Sequence, residues 1–354
     1  MQKAIELAKK GEGYVSPNPL VGAVIVKDGE IIGSGYHQKY GDFHAEVNAF
    51  NSCTQSAEGA EMYVTLEPCA HYGKQPPCAL AIVEHKIKKV YVGMLDPNPL
   101  VAGKGIEILK NAGIEVETGI MEAECKALNP VFLKYITTTL PYVVMKTAMT
   151  LDGKIAAKTG DSKWVSCEES REDVQRLRHR LRGIMVGINT VLTDDPRLNC
   201  RLEGGRDPIR IIADSNLKIP LDANVLSDNN CIIATTQTED NPKFSELKSK
   251  GITVLTLPKR DNKTDLNALM IELGKLKIDG ILLEGGGTLN YSALKAGIVD
   301  EVISYIAPKM IGGESAKTPV EGDGEELMSS AFEFTDVNAE TIGTDIKITA
   351  RKKV

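Results

Sequence analysis

Three side chains able to hold a metal, and one carboxylate that need not, fall within residues 44–78. They are His44 and Glu46 in the run His44-Ala45-Glu46, then Cys69 behind Pro68, then Cys78 behind Pro77. One imidazole and two thiolates suit zinc, which is tetrahedral and in catalytic sites keeps its fourth position for water. Such a site brings water to hydroxide near neutral pH. A glutamate two residues from the histidine is then placed to carry a proton between that hydroxide and a leaving nitrogen. A Cys-x8-Cys pair alone would indicate a closed structural site, or no site, because buried free cysteine is common. The upstream His-x-Glu and the proline before Cys69 turn the reading towards catalysis.

His-x-Glu followed by Pro-Cys is the pattern of the zinc nucleobase deaminases, whose commonest form ends Pro-Cys-x-x-Cys. Here eight residues, 70–77, separate the cysteines, so a loop must leave and return. Pro76-Pro77 stiffens that return, and Pro77 suits the first turn of a helix reading CALAIVEHKI. Cys78 would then lie at a helix N-terminus, where the macrodipole favours a thiolate.

The elements that must position these groups alternate along the chain. The run 20–37 reads as two strands joined at Asp28-Gly29, a favoured hairpin turn. A helix from His44 to about Ser56, a strand at 61–68, a helix at 77–87, a strand at 88–96, a helix near 104–112 and a strand at 114–120 follow. This alternation predicts a three-layer α/β/α sandwich on a mostly parallel sheet. A last helix over 121–138 ends before Pro141, which places the domain boundary between 1–141 and 142–354. Beyond it, strand-like runs recur at 142–149, 183–190, 208–215, 231–236, 252–257, 280–286, 301–308 and within 332–351. Helical patterns at 168–182, 265–277 and 288–297 lie between them, so the second half is α/β with a β-rich end. Between one such strand and helix stands Glu284-Gly285-Gly286-Gly287-Thr288. Glycines there let a backbone approach a phosphate, and a helix N-terminus offers free N–H donors. The run is not G-x-G-x-x-G and lacks the acidic residue of a Rossmann site, so alone it reads first as a tight connection. The pentapeptide PNPLV, at 17–21 and 97–101, reads first as two similar turns.

Composition excludes several classes of partner. The 354 residues carry a net charge of −6, with 13 basic against 16 acidic residues up to 141 and 29 against 32 beyond. Neither half is a basic domain of the kind nucleic acid needs. No apolar run reaches the ~20 residues that span a bilayer, and MQKAIELAKK reads as a short amphipathic helix rather than a leader. Seven unevenly spaced cysteines argue against a disulfide framework and for a reducing cytoplasm.

Beyond the zinc pattern, HAE at 44–46 with EPCAHYGKQPPC at 67–78 resembles the RibD/RibG family of bifunctional riboflavin-biosynthesis deaminase/reductases. SPNPLVGAVIV (16–26), DPNPLVAGKG (96–105), MKTAMTLDGKIA (145–156), DDPRL (194–198) and LLEGGGTLN (282–290) fit the same family in order, so the resemblance covers nearly the whole chain. It implies a cytidine-deaminase-like domain followed by a dihydrofolate-reductase-like domain, one zinc ion per chain, NADPH, a pyrimidine ribosyl phosphate substrate and a homo-oligomer, dimer or tetramer. Carried over position by position, His44, Cys69 and Cys78 hold zinc and Glu46 is catalytic. Asn18, His37, Lys74, Asp96 and Asn98 bind the deaminase substrate. In the second half Lys146, Asp194 and Glu284 serve reduction, and Ser162, Arg178, Leu198, Arg201 and Glu284 face the substrate. Ala148, Trp164, Thr190, Asp194, Ser215, Gly286, Gly287, Thr288, Leu289, Asn290, Tyr291 and Ser292 lie near the nucleotide.

Blander readings stand beside several of these. A lone tryptophan such as Trp164 is more often a core or loop plug. Arg178 shares its helix with Arg171, Arg176, Arg180 and Arg182, and periodicity does not separate ligand from solvated face there. His37 alone reads as a hydrogen-bonded strand-end histidine. Two other functions fit parts of the pattern: a different nucleobase deaminase fused to a regulatory domain, and a non-enzymatic zinc-stabilised binding module. Glu46 discriminates against the second, because a structural site has no use for a carboxylate that is not a ligand.

Overall fold

Asp28 and Gly29 both take positive φ (52° and 83°), as a two-residue hairpin turn requires. They fold β1 (Gly22–Lys27) back on β2 (Glu30–Tyr36), pairing Gly22 with Tyr36 and Lys27 with Glu30. In the computed structural model, which describes residues 1–72, 76–98 and 102–353, this hairpin edges the first of two units, Met1–Thr139 and Leu140–Val354.

The first unit opens with α1 (Gln2–Ala8). After the hairpin come α2 (Ala45–Asn51), β3 (Glu61–Leu66), α3 (Cys78–Glu84), β4 (Lys89–Met94), α4 (Lys104–Asn111), β5 (Glu115–Thr118), α5 (Glu122–Leu128) and α6 (Pro130–Thr138). The sheet order is β2-β1-β3-β4-β5. Only β3, β4 and β5 are parallel neighbours; β1 runs against both β2 and β3. The expectation of a mostly parallel sheet therefore holds for half the pairings. A two-residue turn joins only antiparallel strands, and the α2 crossover lands β3 on the far side of β1. Ile25, Met62, Val64, Ile82, Val90 and Leu109 pack on the face covered by α2, α3 and α4. Ile5, Leu66, Met94, Cys125 and Phe132 pack on the other, beneath α1, α5 and α6. Each such side chain contributes roughly 1.5–3 kcal/mol on burial.

The helices expected over 44–56 and 121–138 depart from their patterns. The one expected to reach Ser56 stops at Asn51, because the Ser52 hydroxyl exchanges hydrogen bonds with the Ser34 backbone, both at 2.8 Å, and ties the chain to β2. The one expected over 121–138 is two helices broken at Asn129-Pro130. Pro130 cannot continue a helix from before it, and the Asn129 amide instead clips the Leu20 backbone through its N–H (2.8 Å) and carbonyl (2.9 Å). Gly35 decides where α2 lies: a Cβ there would run into the Ala49 amide and the Ala45 carbonyl. The helix therefore sits directly on β2, with its first turn over the strand's end.

The second unit is built on a nine-stranded sheet of order β10-β9-β8-β7-β13-β6-β14-β16-β15. Its elements are β6 (Tyr142–Thr150), α7 (Glu168–Arg180), β7 (Gly183–Gly187), α8 (Ile188–Asp194), β8 (Ile209–Ala213), β9 (Cys231–Thr235), α9 (Pro242–Ser249) and β10 (Thr253–Thr256). A small hairpin, β11 (Lys259–Arg260) and β12 (Lys263–Thr264), precedes α10 (Leu266–Lys275), β13 (Gly280–Leu283), α11 (Gly287–Lys295), β14 (Glu301–Ala307), β15 (Phe334–Ile342) and β16 (Asp345–Lys352). The strand expected over 183–190 stops at Gly187, and its last residues belong to α8. Strands β6 to β10, β13 and β14 run parallel. Those buried on both faces read as unbroken apolar runs such as CIIAT and GILL. From β6 the chain passes to β7, works outward to β10, and returns to insert β13 between them. Ligands of open α/β sheets bind beyond the carboxyl ends of strands at such a reversal.

Candidate active sites

His44 caps α2 from an extended backbone (φ −71°, ψ 167°), which puts Glu46 in the helix's first turn. Cys69 follows the end of β3, and Cys78 is the first residue of α3. Pro77 stands just before that helix as its cap rather than within its first turn. The three ligand atoms lie within 4.8 Å of one another. His44 Nδ1 is 3.6 Å from Cys69 Sγ and 3.3 Å from Cys78 Sγ. Donors at zinc bond lengths of about 2.05 Å (N) and 2.3 Å (S), at a tetrahedral angle, are about 3.6 Å apart. The donor set therefore fits zinc in both chemistry and spacing.

The site's charges are mutually dependent. A hydrogen bond from the Cys78 thiol, opposed by burial and aided by His44, brings the Cys69 thiol down to about 4. The Cys78 backbone N–H also donates to Cys69 Sγ (3.3 Å). Sharing that proton pushes Cys78 up, and the hydrogen bond to Cys69 raises His44. Glu46 is 3% exposed. Burial first, then the Cys69 thiolate, push its carboxyl up to about 7.

A cavity of about 440 Å³ opens beside these groups. It brings together Asn18, His37, His44, Glu46, Cys69, Asp96 and Asn98, so seven sequence-predicted residues share one space. Lys74 lies outside the described residues. Sequence reasoning passed over Glu67, His71, Phe132 and Ile136, which also line it. The first has a legible signal, a charge at the end of the apolar strand EMYVTLE; the α6 pair has none, since nothing local places that helix against the site. His37 Nδ1 meets the Phe43 carbonyl (3.0 Å), so Nδ1 carries the proton and Nε2 accepts from the Asn18 amide (3.1 Å). Burial lowers the His37 pKa and keeps the ring neutral.

In the second unit, three residues meet where β13 ends. Glu284 Oε1 accepts from Arg178 Nε (2.7 Å), Oε2 accepts from Nη2 (3.1 Å), and Lys146 Nζ lies 3.7 Å from Oε2. Arg178 Nη1 donates to the Asn199 carbonyl (3.0 Å), so its whole fork is engaged within the protein. Burial would push the Glu284 carboxyl up, but the attraction of Arg178, then of Lys146, wins and brings it to about 2. Burial opposes the Arg178 charge, and Glu284 overcomes it. Ala148 lies on the same face of β6, two residues beyond Lys146.

The other expected positions follow neighbouring strand ends. Thr190 and Asp194 are on α8 after β7, with Asp194 exposed at its last residue; Ser215 follows β8, and its hydroxyl meets Thr264 (3.1 Å). Gly286 caps α11, and a Cβ there would meet nothing within 4 Å, whereas one at Gly287 would strike Glu321. Thr288 is exposed and Leu289 and Ser292 are half-buried. Asn290 and Tyr291 turn inward, donating to the Pro319 (2.8 Å) and Gly324 (2.9 Å) carbonyls. Trp164 is 60% exposed, with the Arg171 guanidinium 4.7 Å from its ring centroid. Ser162 and Arg201 are exposed, and Leu198 is buried with φ 54°. The open face at Gly286 and the first N–H groups of α11 suit the phosphates of a dinucleotide.

The RibD C-terminal domain model matches residues 141–348, and the cytidine and deoxycytidylate deaminase zinc-binding region matches residues 1–94. The riboflavin biosynthesis protein RibD of Actinobacillus pleuropneumoniae is 49% identical over 98% of this chain and 93% of its own length. That of Escherichia coli K12 is 40% identical over 98% and 96%. The chain belongs to the RibD family. An Acinetobacter baumannii RibD structure superposes with a TM-score of 0.90 at 42% identity, covering 100% of this chain and 98% of that one. The Thermotoga maritima diaminohydroxyphosphoribosylaminopyrimidine deaminase/5-amino-6-(5-phosphoribosylamino)uracil reductase gives 0.87 at 37%, covering 100% and 97%.

RibD membership resolves the alternatives left open by the motifs. Both halves of the chain align with both halves of these relatives, which leaves no room for an unrelated regulatory domain. The first unit is a zinc-binding, cytidine-deaminase-like domain and the second a dihydrofolate-reductase-like RibD reductase domain that uses NADPH. No helix among the described residues is long and apolar enough to cross a membrane.

Proposed function

We propose that residues 1–141 deaminate 2,5-diamino-6-ribosylamino-4(3H)-pyrimidinone 5′-phosphate by hydrolysis, and that residues 142–354 use NADPH to reduce the ribosyl chain of the product to ribityl. The observation that carries the first step is the buried Glu46 carboxyl in the same cavity as a tetrahedrally spaced His-Cys-Cys set. His44, Cys69 and Cys78 would hold zinc, which when bound would lower the pKa of water in the open position. Glu46, buried in the same cavity, would accept a proton from the attacking water and return it to the exocyclic nitrogen that leaves as ammonia, a transfer worth roughly 10²–10⁴ in rate. Asn18, its amide NH2 held by neutral His37, offers its carbonyl oxygen to the pyrimidine. Asp96 and Asn98 hold the ribose phosphate, with Lys74 as its cation.

In the second unit Lys146, held by Glu284, is the cation nearest the reacting carbon, and Asp194 assists. Arg178 and Glu284, paired with each other, face the substrate. Ser162, Leu198 and Arg201 bound the substrate end. Ala148, Trp164, Thr190, Ser215 and the turn from Gly286 to Ser292 bound the nucleotide. All seven cysteines are free thiols, which supports a reducing cytoplasm. Exposed apolar side chains on the second unit, among them Leu327, Met328 and Val337, support a homo-oligomer. Purified protein should release ammonia from the diaminopyrimidine phosphate without NADPH, and consume NADPH only once deaminated product is present. NADPH oxidation without prior ammonia release would reject this order.

A further inference from the structure

Glu67 is 4% exposed, and the mechanism above does not use it. It stands where β3 ends, its N–H donating to the Met94 carbonyl (2.9 Å). Its two carboxylate oxygens face four backbone donors of the connection from β4 into α4. Oε2 accepts from the N–H groups of Asp96 (3.2 Å) and Gly103 (3.1 Å), and Oε1 from those of Gly105 (3.0 Å) and Ile106 (3.4 Å). Gly105 lies so close that a Cβ on it would run into the Pro68 carbonyl. One buried anion thus satisfies donors at the start of α4, and it also holds the backbone of Asp96. Asp96 Oδ1 in turn accepts the Asn98 N–H (2.9 Å). Charge-assisted bonds of this kind are stronger and more directional than neutral ones.

We infer that Glu67 is a positioning residue for the deaminase: it fixes the distance between the metal centre and the Asp96–Asn98 arm, and so sets selectivity for a substrate that carries its phosphate at that distance. The inference rests on the proposed role of Asp96 and Asn98 toward the ribose phosphate. Cys69 is two residues beyond Glu67, so the ligand and the clamp both follow the end of β3. Substrate reach is thereby set from the metal site to the arm through the bonds Glu67 makes to Asp96 and Gly103. Loss of the clamp should weaken the grip on the phosphate end and leave the chemistry at the ring intact.

The test uses the full-length zinc-loaded protein with Glu67→Ala and Glu67→Gln. Ammonia release is followed on the pyrimidine ribosyl phosphate and on its dephosphorylated counterpart, with zinc content and amide hydrogen exchange measured alongside. In Glu67→Ala the phosphate ester should lose about tenfold or more in kcat/KM through KM, with zinc retained and the dephosphorylated substrate turned over as by the parent. Glu67→Gln, which keeps one acceptor oxygen, should fall between. Exchange should quicken at Asp96, Gly103, Gly105 and Ile106 in both variants. Equal losses on both substrates, an unchanged KM for the ester, or unchanged exchange at those amides would each overturn the inference. If the parent releases ammonia from neither substrate, the proposed function fails instead, while the exchange measurement still decides whether Glu67 holds the arm.

Discussion

Replacing Glu284 by glutamine should cost the second unit about 3 kcal/mol of stability near pH 7. The carboxyl falls from 4.5 to about 2 on folding, and each tenfold in acidity is worth 1.36 kcal/mol, which gives about 3 kcal/mol. The geometry leads to the same figure independently. Arg178, Lys146 and Glu284 have side chains only 13%, 17% and 12% exposed, and removing one member of a buried ionic cluster costs roughly 3–5 kcal/mol by leaving its partners uncompensated. The sign follows from linkage. A depressed carboxylate contributes fully above about 4.5 and loses that contribution as pH falls toward about 2. The difference between parent and Glu284→Gln should therefore shrink to about 2 kcal/mol at pH 3.5. Trp164 is the only tryptophan in the chain and lies in the second unit, so urea unfolding followed by its emission reports that unit alone. A difference under about 1 kcal/mol near pH 7, or one that does not shrink on acidification, would refute the claim that Glu284 is held as an anion by the two cations.

Glu46→Gln should keep one zinc per chain by metal analysis and lose roughly 10²–10⁴ of the ammonia-release rate; a variant that deaminates normally would remove Glu46 from the mechanism. Stripping zinc with a chelator, or replacing Cys78 by serine, should abolish ammonia release yet leave NADPH oxidation on pre-deaminated substrate intact, and loss of both would tie the metal to the second unit as well. Titration with NADPH should perturb the emission of Trp164, exposed beneath Arg171; emission that does not move at saturating NADPH would place the indole away from the nucleotide.

How far the sequence reached depends on whether the controlling interaction is local. The hairpin at Asp28-Gly29 was legible because φ at two residues determines it. The donor set was legible because zinc chemistry restricts residue type and three of its members begin or follow regular elements. The break at Asn129-Pro130 was half legible: the proline is visible in the sequence, but the Asn129 clip onto Leu20 joins positions 109 residues apart. The antiparallel placement of β3 depends on which side of β1 the α2 crossover lands, and no periodicity encodes that. Glu67 is visible as a charge at the end of an apolar strand, but its partners are not, since its four donors lie on a segment some thirty to forty residues away. Arg178 was singled out only by resemblance. On an arginine-rich helix, its burial against Glu284 is a tertiary fact.

Two buried glutamates show how one residue type is set to opposite tasks by its surroundings. Glu46 has a thiolate as neighbour, so burial and charge act together and raise its carboxyl to about 7. There the protonated and ionised forms are both accessible, as a group that takes and returns a proton requires. Glu284 has an arginine fork and a lysine as neighbours, and their attraction overrides burial and lowers its carboxyl to about 2. Such a group stays ionised at neutral pH and serves as a fixed anion that holds Lys146 and Arg178 in place. Environments that push like groups apart in acidity favour different acid–base roles, which supports the proposal that Glu46 carries protons and that Glu284 serves as a fixed charge. The reduction proposed for the second unit would then take its proton from a group other than the ionised Glu284, and Lys146, 3.7 Å from that anion, is the cation the proposal offers for it.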